Sequence, residues 1–285
     1  MKNFQETEFV IFDVETTGLS AARGDRMVEI AGLKIKNLEP VEKFCSLINP
    51  GRPVSYSAFM VNGISDEMLE DAPSRNEVLP QFMDFINGAC LVAHNMRFDL
   101  GFLKHELPMV NQEEGAQMLE ESLCLDTMPM ARGLLPGLGS YALLSVARAI
   151  GVDAKQQHRA MADVMMTSKV FLHLLESASA KGIKDVGSLA SLFGSRGESF
   201  KKQEQHKIAL IQEAIEAAKG LRILYCGVRS IEVTEREVTP LGIVGSGRNR
   251  MLAGYCHLRG AKRNFKLERI VYLEALEGNK RLNIN

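Results

Sequence analysis

Two carboxylates at the end of an apolar run are the first residues in this sequence that could do chemistry. Asp13 and Glu15 stand two positions apart, where the run FVIFDV predicts a buried strand over Glu8–Val14. Side chains two apart in a strand point to one face, so the carboxylates would lie side by side. Ligands that are all oxygen favour hard ions such as Mg²⁺ or Mn²⁺. Acidic residues are also common at strand ends, so the pair alone leaves a structural role open.

A second acidic candidate, Asp99, follows another predicted strand. In the run Ala-His-Asn-Met-Arg-Phe-Asp, the strand Cys90–Ala93 gives way to a helix over Phe98–Leu107, with Asp99 near the helix start. The positive end of a helix dipole stabilises an acid at that position, which is the structural alternative.

His158 and Asp163 form the third candidate group. Five residues of helix would place their side chains about 140° apart, so they converge only if His158 precedes the helix. The loop character of Gly151–Gln157 favours that arrangement. Without it, both side chains would be ordinary surface residues.

Alternating strands and helices would position these groups. A second strand over Val28–Ile35 predicts a hairpin or meander with the first, and apolar residues at helical spacing predict helices over Glu77–Ile86, Tyr141–Ile150 and Ala160–Leu175. This pattern predicts an α/β domain in which helices cover a mixed sheet.

The last third of the chain has a different pattern. A stretch dense in Gly and Ser predicts a linker at 179–203, with one short helix. Beyond it, a helix over Ile208–Lys219 and short strands at 222–226, 237–244, 251–258, 264–267 and 270–273 predict a small β-barrel or sandwich. We therefore expect domains at 1–178 and 204–285.

Composition restricts the class of protein. The 285 residues are 46% hydrophobic with a net charge of -1, which is typical of a globular protein. The five cysteines form no close pairs for zinc, and neither a signal sequence nor an apolar stretch long enough for a membrane is present, so we expect a cytoplasmic protein. Residues 204–285 carry 14 basic and 9 acidic residues against 20 and 26 in residues 1–203, which favours an anionic partner or an ordinary solvated surface.

Taken together, the motifs Asp-x-Glu-Thr-Thr-Gly, Ala-His-Asn-x-x-Phe-Asp and His-x-x-x-x-Asp resemble those of the DEDDh (DnaQ-like) family of 3′→5′ exonucleases, which includes the epsilon type of proofreading subunit. The resemblance covers residues 7–176 and includes the segment Val61–Ile64, where Asn62 stands in place of the histidine of many relatives. It implies a ribonuclease H-like fold.

The resemblance also implies roles for individual residues. Asp13, Glu15, Asp99 and Asp163 would hold two Mg²⁺ or Mn²⁺ ions, and His158 would act as the general base. The 3′-terminal nucleotide would contact a further set of side chains: Thr16, Thr17, Leu19, His94 and Phe98. For Phe98, a place in the core is the alternative.

The C-terminal segments Ala217–Tyr225, Thr234–Leu241 and Lys262–Ile270 resemble the WYL domain, an SH3-like or Sm-like β-barrel. The Trp-Tyr-Leu signature itself is degenerate, with only Leu252 retained. We expect accessory contacts to nucleic acid from three guanidinium groups, those of Arg236, Arg263 and Arg269, with structural ion pairs as the alternative.

The sequence thus predicts an exonuclease that releases nucleoside 5′-monophosphates from single-stranded 3′ ends, with DNA favoured over RNA, in repair or nucleic-acid processing. Two alternatives stay open. One is a binding protein that uses an inactive nuclease fold, and the other is a proofreading subunit of a polymerase. The C-terminal domain could also carry a homo-oligomer or protein contact.

Overall fold

The computed structural model describes residues 2–153, 158–194, 198–227 and 231–279. Contacts within the chain separate two compact units, Lys2–Glu176 and the described residues from Ser177 onward. Among the described residues, no helix combines the length and the apolar character that crossing a membrane requires.

A five-stranded mixed sheet forms the centre of the first unit. Its strands are β1 (Phe9–Thr16), β2 (Met27–Lys36), β3 (Glu39–Leu47), β4 (Cys90–Ala93) and β5 (Cys124–Asp126). They lie in the order β3-β2-β1-β4-β5. The pairs β1–β2 and β2–β3 are antiparallel, whereas β1–β4 and β4–β5 are parallel. The predicted α/β class with a mixed sheet is confirmed.

Helices accompany this sheet: α1 (Tyr56–Asn62), α2 (Asp66–Leu69), α3 (Arg75–Ile86), α4 (Met96–Glu106), α5 (Glu113–Glu121), α6 (Thr127–Leu134), α7 (Leu143–Ala149) and α8 (Ala160–Ala180). Helix α3 begins with a reciprocal capping box, in which Ser74 and Glu77 each bond the other's backbone or side chain. The predicted helices over 77–86, 98–107, 141–150 and 160–175 are confirmed within a few residues at each end.

Strand β1 is buried on both faces. Val10 and Phe12 belong to the core cluster that includes Phe82 of α3. On the other face, the ring of Phe9 packs edge-on against Phe171 of α8, with ring centroids 5.0 Å apart. Burying a side chain of this size stabilises a fold by about 1.5–3 kcal/mol. The end of β1 is therefore held in a fixed place.

The second unit contains helices α9 (Val186–Phe193) and α10 (Glu198–Glu216) and a second five-stranded sheet: β6 (Lys219–Cys226), β7 (Val233–Val244), β8 (Met251–Cys256), β9 (Ala261–Lys266) and β10 (Ile270–Asn279). The order is β10-β6-β7-β8-β9, with every pair antiparallel, so β9 and β10 are the two edges and the described sheet is open. The predicted SH3-like or Sm-like barrel is not confirmed. Instead of the sheet closing over its own core, Ile211 and Ala214 of α10 are buried against its apolar residues.

The segment predicted as a linker, 179–203, contains the end of α8, the whole of α9 and the start of α10. Asp185 caps the start of helix α9, and its side chain accepts from the Ser188 backbone N–H at 2.9 Å. The Ser188 hydroxyl in turn donates to the Val271 carbonyl on β10 at 3.1 Å. The small residues of this stretch permit close packing against the second sheet.

Candidate active site

Three carboxylates that are far apart in the sequence meet at the end of β1. Asp13 and Glu15 extend from the same face of the strand, and Asp163 comes from the first turn of α8. One oxygen from each of the three lies within 4.8 Å of the others. Asp13 and Glu15 therefore share a face, as predicted, and Asp163 converges on them.

Asp99 is the fourth carboxylate of this group and is 2% exposed on α4. Its Oδ1 accepts from the Val14 backbone N–H at 3.2 Å, between the two acids of β1. The turn before α4 is fixed by Asn95, which has a left-handed backbone (φ 69°) and donates its backbone N–H to Asp126 Oδ1 at 3.0 Å. Asparagine tolerates this conformation better than most residues, so the turn can deliver Asp99 to β1.

The carboxyl groups of the cluster are hard to ionise together. Burial, followed by the charge of Asp99, raises the pKa of Asp13 well above its usual range. Burial and the charge of Asp163 raise the pKa of Glu15 to about 8. Burial also raises the pKa of Asp99 to about 8, although the Val14 N–H opposes it. Ionising the whole group at neutral pH therefore needs compensating positive charge.

The residues fit divalent cations. Asp163 Oδ1 is buried and has no hydrogen-bond partner among the residues that the structure describes. A buried carboxylate oxygen without a donor is costly unless a ligand satisfies it. An all-oxygen set of acidic ligands suits Mg²⁺ or Mn²⁺ better than softer metals.

His158 stands two residues before α8, which is the arrangement that the five-residue spacing requires. Its backbone is left-handed (φ 44°), an unusual state for a residue with a side chain. Burial raises the pKa of Asp163, and the nearby His158 opposes that increase. The imidazole thus lies within electrostatic reach of the acidic cluster.

The turn after β1 is shaped by its own side chains. The Thr16 hydroxyl donates to the Gly18 carbonyl at 2.5 Å, and the Thr17 hydroxyl accepts from the Arg26 backbone N–H at 3.1 Å. A Cβ at Gly18 would lie 2.5 Å from the Asp25 carboxylate, so a larger residue there would displace Asp25 from its bond to the Ser20 backbone N–H. Both threonine hydroxyls that were predicted to contact substrate therefore have partners within the turn.

Leu19 and Phe98 line one cavity of about 500 Å³, together with Asn95, Arg97, Gly101 and His105. Leu19 is 87% exposed and lies at the edge of this cavity. Phe98 packs against Phe102 at 5.0 Å between ring centroids but still faces this cavity. The cavity is thus lined by two of the predicted substrate residues and by a cationic side chain, that of Arg97, to which sequence reasoning gave no role.

His94 has bonding partners on both sides of its ring. Nδ1 lies 2.8 Å from Thr127 Oγ1 and Nε2 lies 2.9 Å from the Tyr141 carbonyl. Burial lowers the pKa of His94. The structure therefore places this residue in the wall beside the site, where it ties α6 to the segment before α7.

Asn62, which departs from the family pattern, is buried and bonded to the site. Its Nδ2 lies 3.4 Å from the Thr16 carbonyl and its Oδ1 accepts from the Ile64 N–H at 3.0 Å. A hydrogen bond from Asn62 also opposes the increase in the pKa of Glu15. Sequence reasoning gave this residue no role in holding a carboxylate.

Glu29 and Arg159 are further residues of the site that sequence reasoning missed. Arg159 donates from Nη2 to Glu29 Oε1 at 2.6 Å. The only signal in the sequence was the place of Arg159 next to His158, because its acidic partner is 130 positions away.

The three predicted cations of the second unit lie in different settings. Arg236 Nε donates to Thr234 Oγ1 at 3.2 Å, and Arg269 donates to the Gly227 carbonyl. Arg263 is exposed on the edge strand β9. Two of the three guanidinium groups thus have structural partners, which was the alternative to a role in binding.

A partly buried acidic cluster beside a histidine lies at the end of the central strand of a mixed sheet, an arrangement that suits phosphodiester hydrolysis with divalent cations. The family model described as Exonuclease matches residues 10–171, and the chain belongs to this family. A second family model, that of the WYL domain, matches residues 206–275.

Curated relatives include DNA polymerase III of the PolC type. The protein from Caldanaerobacter subterraneus is 37% identical over 220 residues, which cover 77% of this chain and 15% of that protein. The protein from Bacillus subtilis is 34% identical over 206 residues, which cover 72% of this chain and 14% of that protein. The chain therefore spans only about a seventh of the length of these relatives.

Solved structures show the same fold. Escherichia coli Exonuclease I in complex with a dA16 oligonucleotide has a TM-score of 0.56 at 17% identity, over 87% of this chain and 54% of that chain. The nuclease domain of 3′hExo, a DEDDh family member bound to rAMP, has a TM-score of 0.53 at 14% identity, over 61% of this chain and 94% of that one. The first unit thus has the ribonuclease H-like exonuclease fold.

Proposed function

We propose that the protein is a metal-dependent 3′→5′ exonuclease that releases nucleoside 5′-monophosphates from single-stranded ends, with DNA preferred over RNA. The observation that carries this proposal is the meeting of Asp13, Glu15 and Asp163 within 4.8 Å, with one buried oxygen of Asp163 that lacks a partner among the described residues. A carboxylate cluster of this kind favours catalysis over a binding role that relies on the fold alone.

The acidic residues together would bind two ions. Asp13, Glu15 and Asp163 offer oxygens to a shared centre, and Asp99 lies beside them through its bond to the Val14 N–H. Two divalent ions, when bound, stabilise both the attacking and the leaving oxygen of an in-line displacement. Mg²⁺ and Mn²⁺ are the ions that these ligands favour.

His158 would accept the proton of the attacking water. It stands before α8 rather than within it, so its imidazole can approach the same centre as Asp163. Histidine suits this role because its ordinary titration range lies near neutral pH.

The cavity lined by Leu19 and Phe98 would receive the terminal nucleotides. An exposed leucine and an aromatic ring can hold the faces of unpaired bases without reading their identity. Thr16, Thr17 and His94 would support the walls, because their polar groups are bonded to the protein. Preference for DNA is proposed from the relatives, since E. coli Exonuclease I was solved with a DNA oligonucleotide and the curated relatives are DNA polymerases.

The decisive assay incubates purified protein with DNA or RNA oligonucleotides labelled at the 5′ or the 3′ end, in Mg²⁺, Mn²⁺ or EDTA. It measures the labelled products over time. We expect 5′-labelled DNA to shorten as a ladder and 3′-labelled DNA to release a labelled mononucleotide at once, in both metals and not in EDTA. Nucleotide release that starts from the 5′ end, or that persists in EDTA, contradicts the proposal.

Two variants complete the assay. His158→Ala and Asp163→Asn should each abolish nucleotide release, while circular dichroism shows an intact fold. Full activity in either variant would refute the assignment of these residues. A mismatched 3′ end compared with a paired one tests the proofreading alternative, which requires faster release from the mismatch.

A further inference from the structure

A buried carboxylate, that of Glu29, lies next to the acidic cluster but is used differently. Glu29 is 2% exposed on β2, directly opposite Glu15 in the register of the β1–β2 pair. Arg159 Nη2 donates to Glu29 Oε1 at 2.6 Å, and Arg159 Nε lies 3.2 Å from both oxygens. This fork geometry fixes the guanidinium more firmly than a single contact would.

Glu29 also fixes the start of α8. Its Oε2 accepts from the Ala160 backbone N–H at 2.8 Å, at the first residue of the helix. A carboxylate at this point satisfies a backbone donor that has no partner within the helix, and it lies at the positive end of the helix dipole. One side chain of β2 thus holds both Arg159 and Ala160.

His158 is the residue immediately before this pair of contacts, and its left-handed backbone (φ 44°) costs free energy unless the neighbouring structure holds it. We propose that Glu29 and Arg159 are positioning residues that hold the His158 imidazole against the acidic cluster. This inference rests on the proposed function, because it supposes that His158 is the general base.

Both Glu29 oxygens already have donors, Arg159 for Oε1 and Ala160 for Oε2. Asp163 Oδ1, in contrast, has no donor among the described residues. Glu29 is therefore unsuited to bind an ion, and its loss should leave ion binding in place. Asp163 lies in a helix whose residues Val164 and Phe171 are fully buried, so this packing should keep Asp163 in place when the contacts at the helix start are lost.

The test compares Glu29→Gln, Arg159→Gln and the double variant with wild type in the full chain. We expect each single variant to lower kcat about 100-fold, since small displacements of a catalytic group have effects of this size. KM for the oligonucleotide and the Kd for Mn²⁺, measured by calorimetry, should stay within about twofold. The double variant should be no slower than the singles, because the two residues act as one unit. Arg159→Lys, which keeps the charge and loses the fork, should restore only part of the rate.

Glu106→Gln is the matched control. Glu106 is also a buried carboxylate that accepts from an arginine, Arg26 at 2.7 Å, and from a backbone N–H, that of Met27 at 3.3 Å. The variant Glu106→Gln should lower the melting temperature about as much as Glu29→Gln does, and it should keep most of the wild-type kcat.

Amide hydrogen exchange provides a readout that does not depend on activity. Amides of residues 158–163 should exchange faster in Glu29→Gln and Arg159→Gln than in wild type, and those of α3 should not. Unchanged exchange there, a wild-type kcat in the folded variants, or a Kd for Mn²⁺ that rises in step with the loss of kcat would each overturn the inference. Wild-type protein without nuclease activity would instead refute the proposed function, and the exchange rates would still decide whether the pair holds this segment.

Discussion

In the unit Lys2–Glu176, four carboxylates from β1, α4 and α8 lie together with little compensation, whereas in the C-terminal unit several charged side chains have partners of opposite sign. Arg222 contacts Glu235 and Glu274, and Arg250 contacts Glu204, at distances of 2.8–3.2 Å. Surface pairs of this kind contribute about 0–1 kcal/mol each and need no ligand.

The comparison separates two uses of charge. Where like charges are buried together, the fold is less stable than it could be, and a ligand of opposite charge recovers the loss. Where charges are paired, they belong to the structure and their presence says little about binding. The acidic cluster is therefore the better indicator of function in this chain, and the arginines of the second sheet are the weaker one.

The largest expected effect comes from removing one charge of the cluster. Asp13→Asn should lower the rate of nucleotide release by at least about 10³-fold, because a ligand of the catalytic ions is lost. In EDTA the same variant should melt at a higher temperature than wild type, because one of the mutually repelling carboxylates is gone. Scanning calorimetry in EDTA and in Mn²⁺ measures the melting temperatures of Asp13→Asn and wild type.

Glu114→Gln, an exposed acid on α5, is the control for Asp13→Asn and should change neither property. If Asp13→Asn keeps its activity, or melts below wild type in EDTA, then the cluster is not a strained cation site and the contrast between the units is lost.

The second prediction concerns pH. The pKa of both Glu15 and Asp99 is raised to about 8, from ordinary values of 4.5 and 3.8. Between those values and pH 8 the folded chain holds protons that the unfolded chain has released, so stability falls as pH rises through this window. The melting temperature of the metal-free protein should therefore decrease from pH 5 to pH 8.

Asp99→Asn should flatten this pH dependence, and Glu114→Gln should not. Saturating Mn²⁺ should remove most of the decrease in wild type, since ions and protons compete for the same oxygens. Parallel curves for wild type and Asp99→Asn in EDTA would show that Asp99 is not among the groups that titrate.

Much of this site could be predicted because its residues lie in short local patterns. The two-residue period of a strand predicted that Asp13 and Glu15 share a face, and a helix start after His158 allowed it to approach Asp163. The resemblance to the DEDDh family joined these residues into one site. These rules act within a few residues of sequence, and the structure agrees with them.

The remaining features depend on contacts that no local pattern encodes. Glu29 meets Arg159 only through folding, and β3 was missed because its nine residues are mostly exposed and lack the apolar alternation of a half-buried strand. The barrel prediction was not confirmed because short strands alone do not reveal that a helix covers the sheet. Gly and Ser favoured a linker over 179–203, where close packing of α9 needs small residues instead.

The third prediction concerns Lys207, a partly buried lysine of the second unit. Lys207 donates to Ser191 Oγ at 3.2 Å and to the Leu267 carbonyl at 3.3 Å, and burial lowers its pKa from 10.5 to about 8. Between these values the unfolded chain holds more protons than the folded one, so this group makes stability rise with pH, opposite to the acidic cluster. The effect is on the order of 3 kcal/mol.

The free energy of unfolding of wild type relative to Lys207→Met should therefore increase from pH 8 to pH 10.5, as measured by urea titration. Lys184→Met, which changes an exposed lysine, should show no such trend against wild type. A constant difference between wild type and Lys207→Met would mean that Lys207 stays charged throughout this range.

The smallest expected effect distinguishes the three arginines of the second sheet. Arg263 is exposed on β9, so Arg263→Ala should weaken oligonucleotide affinity only a few-fold and reduce the slope of log K against log salt by about 1, if this edge contacts phosphate. Arg236→Ala and Arg269→Ala should instead lower the melting temperature, because each guanidinium bonds a group of its own unit. Fluorescence anisotropy over a salt series measures the first effect. An unchanged salt slope in Arg263→Ala would assign the basic residues of this sheet to structure alone, and it would complete the contrast with the acidic cluster.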